Sequence, residues 1–202
     1  MKEEHKIGFT ILKNLLGIPY RLWYNHKIIG KENIPKNGAI IICANHKHAM
    51  DQCAILLSTR RMVHYMAKCE YFDGKMAWFF KMAGCIPVNR SIKDESAKKR
   101  ALDILNKGQA IGLFPEGTRN RTKDFLLPFK YGAVSMAKKT DAYIVPVGIT
   151  GDYKFRSKNL VTRIGKPFKV TDMELDEAND KLKNEISKLM KLNLKEEKRS
   201  YK

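Results

Sequence analysis

Short uncharged runs that alternate with helix-forming stretches restrict the fold more than any other feature of this chain. Three of these runs cover residues 38–44, 110–113 and 144–149. Apolar runs of this length are typical of strands that are buried on both faces, as in a parallel sheet covered by helices. The stretches between them are long enough for crossover connections. The sequence therefore predicts an α/β fold with a mixed, mainly parallel sheet flanked by helices.

The remaining elements follow from periodicity and from helix stop signals. Strands are expected at 62–67 and 85–90, with helices near 50–57, 75–82, 94–106 and 131–139. Residues 161–164 and 168–170 are expected to form a pair at the sheet edge, and a helix that packs one face on the sheet is expected from Asp172 onward. With 202 residues and no repeat or low-complexity linker, one main domain is expected at 28–202.

Residues 1–27 are expected to form a separate amphipathic segment. Its apolar side consists of Ile7, Phe9, Ile11, Leu12, Leu15, Leu16, Ile18, Leu22 and Trp23. Polar residues from Lys6 to Asn25 oppose that side, and the aromatic residues suit a helix lying in the plane of lipid headgroups. A helix packed on the domain core is the alternative that this pattern leaves open.

A histidine and a carboxylate flank the turn after the first apolar run. His46 precedes Asp51 by five residues, so the two would not share one face of a regular helix. His46 is expected in a turn at the carboxyl end of a strand, however, and Asp51 in the first turn of the next helix, where a bent backbone can bring them together. An imidazole oriented by a carboxylate can act as a general base near neutral pH.

Three more segments lie in or just after predicted strands at positions that suit the same site, and together the four blocks resemble a known family. The blocks are Asn45-His46-(x4)-Asp51, Val88-Asn89-Arg90, Phe114-Pro115-Glu116-Gly117-Thr118-Arg119 and Val145-Pro146-Val147-Gly148. In this order they resemble the glycerolipid acyltransferases, and among them the 1-acylglycerol-3-phosphate acyltransferases. The resemblance spans roughly residues 28–170. The family usually has Ser where this chain has His48, which bears on the fine geometry or the preferred acceptor.

The resemblance implies transfer of a fatty acyl group from a thioester to the sn-2 hydroxyl of 1-acylglycerol-3-phosphate, which gives phosphatidic acid. His46 would be the general base and Asp51 would orient it. Arg90 and Arg119 would bind the acceptor phosphate through their planar guanidinium groups. The other substrate-binding positions would be Glu116, Gly117 and Thr118, and the acyl pocket would include Pro146 and Val147. A structural ion pair for Glu116 and Arg119, and a solvated surface position for Arg90, are the simpler alternatives.

The implied donor is acyl-CoA or acyl carrier protein, and the implied acceptor is lysophosphatidic acid, with another lyso-lipid as an alternative. The substrate's own hydroxyl would be the nucleophile, so no cofactor, no metal and no catalytic Ser or Cys is expected. His46-x-His48-x-x-Asp51 also approaches the ligand run of metal-dependent hydrolases. Gln52 stands where a histidine ligand would be needed, so that alternative is disfavoured. A basic membrane-binding module without activity would not explain the ordered blocks.

Charge and composition bear on the partners. The chain has 39 Lys and Arg against 21 Asp and Glu, a formal net charge of +18, which implies an anionic partner. An anionic membrane surface or an acidic carrier protein is expected rather than nucleic acid, because no nucleic-acid-binding motif accompanies the charge. The four cysteines have no disulfide or zinc spacing, no signal peptide is evident, and no run is long enough to cross a bilayer. The expected location is the cytoplasmic face of the cell membrane, as a peripheral protein.

Overall fold

A computed structural model describes residues 3–89, 91–92 and 94–200 of the chain. The strands within these residues are β1 (Lys27–Ile29), β2 (Ile40–Ala44), β3 (Val63–Lys68), β4 (Ile86–Val88), β5 (Ala110–Leu113), β6 (Tyr143–Thr150) and β7 (Val161–Ile164). The helices are α1 (Glu3–Tyr24), α2 (Asp51–Leu56), α3 (Ala77–Met82), α4 (Glu95–Asn106), α5 (Gly132–Thr140) and α6 (Leu175–Ser200). Two short 3₁₀ turns cover Lys31–Asn33 and Cys69–Phe72.

All the described strands belong to one sheet with the order β1-β7-β6-β2-β5-β3-β4. Every neighbouring pair is parallel except β6 and β7, which are antiparallel. The expected α/β fold with a mixed, mainly parallel sheet is therefore confirmed. The expected edge position of residues 161–164 is wrong, because β1 adds outside β7. Phe168 forms only an isolated bridge with Ile144, and Pro167 just before it has no N–H to continue a ladder.

The side chains of the central strand β2 alternate between two cores. Ile41 and Cys43 point into one core, which α4, α5 and α6 cover. Ile40 and Ile42 point into the other, where α1 and α2 pack. Because both faces are covered, the uncharged character of β2 follows from its place in the middle of the sheet.

Helix α1 packs against the domain with only part of its surface. Phe9 and Tyr20 are buried, and Gly17 lies so close to Leu57 that a Cβ there would meet the Leu57 side chain at 2.5 Å. Four large apolar side chains on another face stay exposed; they are called the α1 stripe below: Ile11, Leu15, Ile18 and Leu22. Among the described residues, no helix has both the length and the apolar character needed to cross a bilayer.

Candidate active site

The site forms where neighbouring parallel strands end. β2 lies between β5 and β6 in the sheet, with Cys43 opposite Leu113 on one side and Pro146 on the other. The turns that follow β2 and β5 therefore emerge at the same edge. This is the edge at which open α/β sheets carry their binding and catalytic residues.

His46 and Asp51 meet in the turn after β2. The imidazole Nδ1 lies 2.9 Å from Asp51 Oδ2, and the carboxylate is fully buried. The backbone N–H groups of Lys47 and His48 also donate to Oδ2, each at 2.8 Å. These bonds hold the carboxylate in place with Oδ2 as an acceptor, so Nδ1 presents its N–H to that oxygen and Nε2 keeps the lone pair that a base requires. The predicted bend thus joins the two side chains.

Glu116 fixes the backbone of His46 from the neighbouring turn. Its Oε1 accepts from the His46 N–H at 2.7 Å, and its Oε2 accepts from the Leu127 N–H at 2.9 Å. Burial raises the pKa of the Glu116 carboxyl, while these two hydrogen bonds act in the opposite direction. Both oxygens are thus engaged by backbone groups, and the side chain ties the turn after β5 to the turn after β2.

Two residues inside the quoted blocks have contacts that the sequence did not assign. The Phe114 ring stacks on the His46 imidazole, with centroids 4.0 Å apart and an interplanar angle of 15°. The Asn45 amide exchanges two hydrogen bonds with the backbone of Ile149, at 2.9 and 2.7 Å, and so joins the ends of β2 and β6. The stacking of Phe114 limits the orientations that the His46 ring can adopt.

His46 lines two cavities of different character. The larger has a volume of about 520 Å³ and is mainly apolar, and Arg119 contributes to its wall. Phe9, Leu16 and Gly17 of α1 form part of the same wall. The smaller has a volume of about 330 Å³ and a more polar lining that includes Lys47, Asn120, Thr122 and Lys123. His46 therefore borders both an apolar cavity and a more polar one.

The other predicted site residues differ in their burial and in whether they line a cavity. Arg90 falls outside the described residues. Gly117 and Thr118 are exposed, and Gly117 has a φ of 71°, which favours glycine. Pro146 and Val147 are buried in β6 and do not belong to the lining of either cavity. The substrate-binding and acyl-pocket roles given to these residues stay predictions.

Tyr153 is the site residue that sequence reasoning missed. Its hydroxyl donates to Asp51 Oδ1 at 2.6 Å, from a position 102 residues further along the chain. The ring stacks on His48, with centroids 4.3 Å apart. A signal was present, because Tyr153 follows closely on β6, whose carboxyl end lies beside that of β2. In the part of the chain that is described, no three His, Cys, Asp or Glu side chains are grouped to hold a metal ion.

Comparison with known proteins identifies the family of this chain. The family model described as Acyltransferase matches residues 25–150. The chain is 36% identical over 166 residues to the 1-acyl-sn-glycerol-3-phosphate acyltransferase of Borreliella burgdorferi, covering 79% of this chain and 65% of the relative. It is 31% identical over 170 residues to the enzyme of the same name from Bacillus subtilis, covering 81% of this chain and 84% of that one.

A solved structure has the same fold. The 1-acyl-sn-glycerophosphate (LPA) acyltransferase PlsC from Thermotoga maritima superposes with a TM-score of 0.73 at 23% identity, covering 94% of this chain and 78% of that one. The matched family model and the two sequence relatives define the class of the protein. The chain belongs to the acyltransferase family, as its sequence motifs indicated.

Proposed function

We propose that this protein transfers a fatty acyl group from acyl-CoA or acyl carrier protein to the sn-2 hydroxyl of 1-acylglycerol-3-phosphate and so makes phosphatidic acid. The observation that carries the proposal is the His46–Asp51 pair, set between an apolar cavity and a polar one. The names of the two similar bacterial enzymes support this choice of acceptor. The chain spans 65% of the Borreliella relative, so the activity is proposed from the site as well as from the names.

The proposed reaction needs one base and no covalent enzyme intermediate. His46 Nε2 takes the proton of the acceptor hydroxyl while the hydroxyl oxygen attacks the thioester carbonyl carbon. The carbon–sulfur bond then breaks, and the leaving thiolate takes the proton from the imidazolium. Asp51 stabilises the imidazolium charge through its bond to Nδ1, and general-base assistance of this kind contributes about 10²–10⁴ in rate.

The direct test incubates the purified chain with lysophosphatidic acid and each thioester donor, and identifies the lipid product by mass spectrometry. His46→Ala should lower kcat by at least about 10², and Asp51→Asn should remove most activity, with the fold intact by circular dichroism. A His46→Ala variant that keeps more than about a tenth of the wild-type kcat would remove the base assignment. The same assay with other lyso-lipids shows whether the enzyme prefers an acceptor headgroup other than that of lysophosphatidic acid.

The acceptor phosphate is proposed to bind Arg119, in the wall of the larger cavity, together with Arg90. Lysine keeps the charge but loses the two-pronged contact with phosphate oxygens. Arg119→Lys and Arg90→Lys should therefore raise KM for the acceptor with little change for the donor. Arg121→Lys is the matched control, because this exposed arginine is two residues from Arg119 and belongs to the lining of neither cavity. Unchanged acceptor KM in both variants would put the phosphate elsewhere.

An acyl chain is proposed to occupy the larger cavity, because its lining is mainly apolar and reaches His46. Residues 1–27 are proposed as the membrane-interface segment and 28–202 as the catalytic domain, at the cytoplasmic face of the membrane. The exposed α1 stripe and the net charge of +18 support attachment to an anionic lipid surface. Flotation with anionic vesicles tests this, and a protein that stays with the soluble fraction at low salt would contradict it.

A further inference from the structure

Tyr153 provides a hydrogen bond that the turn after β2 cannot supply. Three donors reach Asp51 Oδ2: His46 Nδ1 and the backbone N–H groups of Lys47 and His48. Tyr153 Oη reaches the other oxygen, Oδ1, at 2.6 Å. Asp51 is fully buried, so each oxygen of its carboxylate needs a partner within the protein. The phenol meets this need from a segment that is distant in sequence.

The ring of Tyr153 is held on two sides by aromatic side chains. His48 stacks on it with an interplanar angle of 17°, and Tyr24 meets it edge-on with centroids 5.4 Å apart. Tyr24 is the last residue of α1, so the helix that carries the exposed stripe also contacts the ring. Burial, with the nearby Asp51 charge, raises the pKa of the Tyr153 phenol far above its usual range. The hydroxyl therefore stays protonated and can only donate to the carboxylate.

We propose that Tyr153 is a positioning residue for the proposed acyl transfer: its hydroxyl fixes the plane of the Asp51 carboxylate so that Oδ2 meets His46 Nδ1. The inference rests on the proposed function and on the His46–Asp51 pair. His48 gains a role from this arrangement, because its ring supports Tyr153 at the position where the resembling family usually has Ser. Tyr24 supports the same ring from α1, so the seating of that helix contributes to the orientation of the pair.

Tyr153→Phe tests the proposal because it removes the hydroxyl and keeps the ring between its neighbours. We expect kcat to fall on the order of 10- to 100-fold, as for other groups that orient an active residue, while KM for donor and acceptor stays unchanged. Tyr143→Phe is the matched control, because it removes a hydroxyl from the opposite end of β6, and it should keep wild-type kcat. Inactive wild-type protein would defeat the proposed function, whereas active wild type with Tyr153→Phe within about twofold would defeat this inference alone.

A double-mutant cycle separates positioning from a general structural role. If the hydroxyl acts through Asp51, Tyr153→Phe should cause little further loss of kcat in the Asp51→Asn background. An equal loss in both backgrounds would show that Tyr153 acts independently of Asp51 and would overturn the proposal. Tyr24→Ala is a second, independent test of the proposal, and it does not require Tyr153→Phe to fold. It keeps the hydroxyl but removes one support of the ring, so kcat should fall at unchanged KM, and an unchanged kcat would contradict the role of α1.

Discussion

Helices α1 and α6 are the two longest in the described chain, and they bury their apolar residues differently. α6 has 26 residues and packs Leu182, Ile186 and Met190 into the core against the sheet. α1 has 22 residues and buries Phe9 and Tyr20, while the four residues of the α1 stripe stay exposed. The exposed fraction is 68% for Leu15 and 0% for Leu182.

The way each helix is seated explains part of this difference. The backbone of α6 lies directly against β6, since a Cβ added at Gly148 would lie 2.8 Å from the Met190 nitrogen. α1 instead meets the residue that follows α2 through a side chain, because a Cβ at Gly17 would meet the end of the Leu57 side chain. Amphipathic spacing alone therefore does not distinguish a core helix from one with a further apolar partner. To distinguish the two kinds of helix, one must know which face is packed. In α1 that face is narrow and consists of aromatic and small residues such as Phe9, Gly17 and Tyr20.

The largest expected effect concerns matched leucine truncations in the two helices. Leu182→Ala should lower the free energy of unfolding by about 2–5 kcal/mol, because it leaves a cavity in a fully buried site. Leu15→Ala should change it by no more than about 0.5 kcal/mol, since the side chain is exposed. Urea unfolding followed by circular dichroism measures both values. Equal losses would mean that another copy of the protein or another segment covers the α1 stripe in solution.

For membrane binding, substitutions in α1 should have the larger effect and substitutions in α6 the smaller one. Replacing Leu15 and Ile18 together by Ser should weaken sedimentation with anionic vesicles at least about tenfold, since burying each apolar side chain contributes about 1.5–3 kcal/mol when complete. Leu192→Ser, on an exposed part of α6, is the matched control and should bind as the wild type does. Equal weakening by the control, or none in the double variant, would remove α1 as the site of lipid contact.

Adding a methyl group at the two glycines tests the seating of each helix. Gly148→Ala should cost about 1–3 kcal/mol, because the new Cβ meets the backbone of α6, which cannot move aside. Gly17→Ala should be close to neutral, because the Leu57 tip can rotate away and alanine favours a helix by up to about 1 kcal/mol. Thermal unfolding of both variants gives the comparison. A larger loss at Gly17 would show that α1 is seated as rigidly as α6.

The sequence was sufficient for those parts of the fold and site that depend on local pattern. The uncharged run of β2 and the helix after it indicated where His46 and Asp51 lie, because strand ends and helix starts are local features. Family membership was predicted from four motif blocks for the same reason. β1 was missed, because three residues with an exposed Lys27 give no strand periodicity.

The partners within the site could not be predicted in the same way. The substrate-binding role given to Glu116 stays a prediction, and the bonds that its oxygens accept from the backbone of His46 and Leu127 had no signal in the sequence. Tyr153 contacts Asp51 across 102 residues of chain, and its place just after β6 indicates that contact only once β6 is known to lie beside β2. Such pairings are set by which strands are adjacent, and strand order is a property of the whole sheet.

The smallest expected effect is a pH dependence at the junction between α1 and β1. His26 follows α1, and its Nε2 lies 2.8 Å from Thr162 Oγ1 while its ring meets Tyr20 edge-on. Burial, with a contribution from the Arg21 charge, lowers the pKa of His26 from 6.5 to about 4. As the pH falls below 6.5, His26 takes up a proton in the unfolded chain, whereas in the folded chain it stays neutral down to about pH 4. The folded state therefore loses stability across that interval.

His26→Gln should remove this contribution, because glutamine can still bond to Thr162 but does not titrate. Between pH 7 and 4.5 the wild type should lose on the order of 1 kcal/mol more unfolding free energy than the variant, as measured by urea titration. Hydrogen exchange corrected for intrinsic rates should show the α1 amides near Tyr20 losing protection before those around Ile186 in α6. Parallel losses in the wild type and in His26→Gln, or simultaneous opening of both helices, would mean that acid acts on the whole core and that α1 is no more weakly seated than α6.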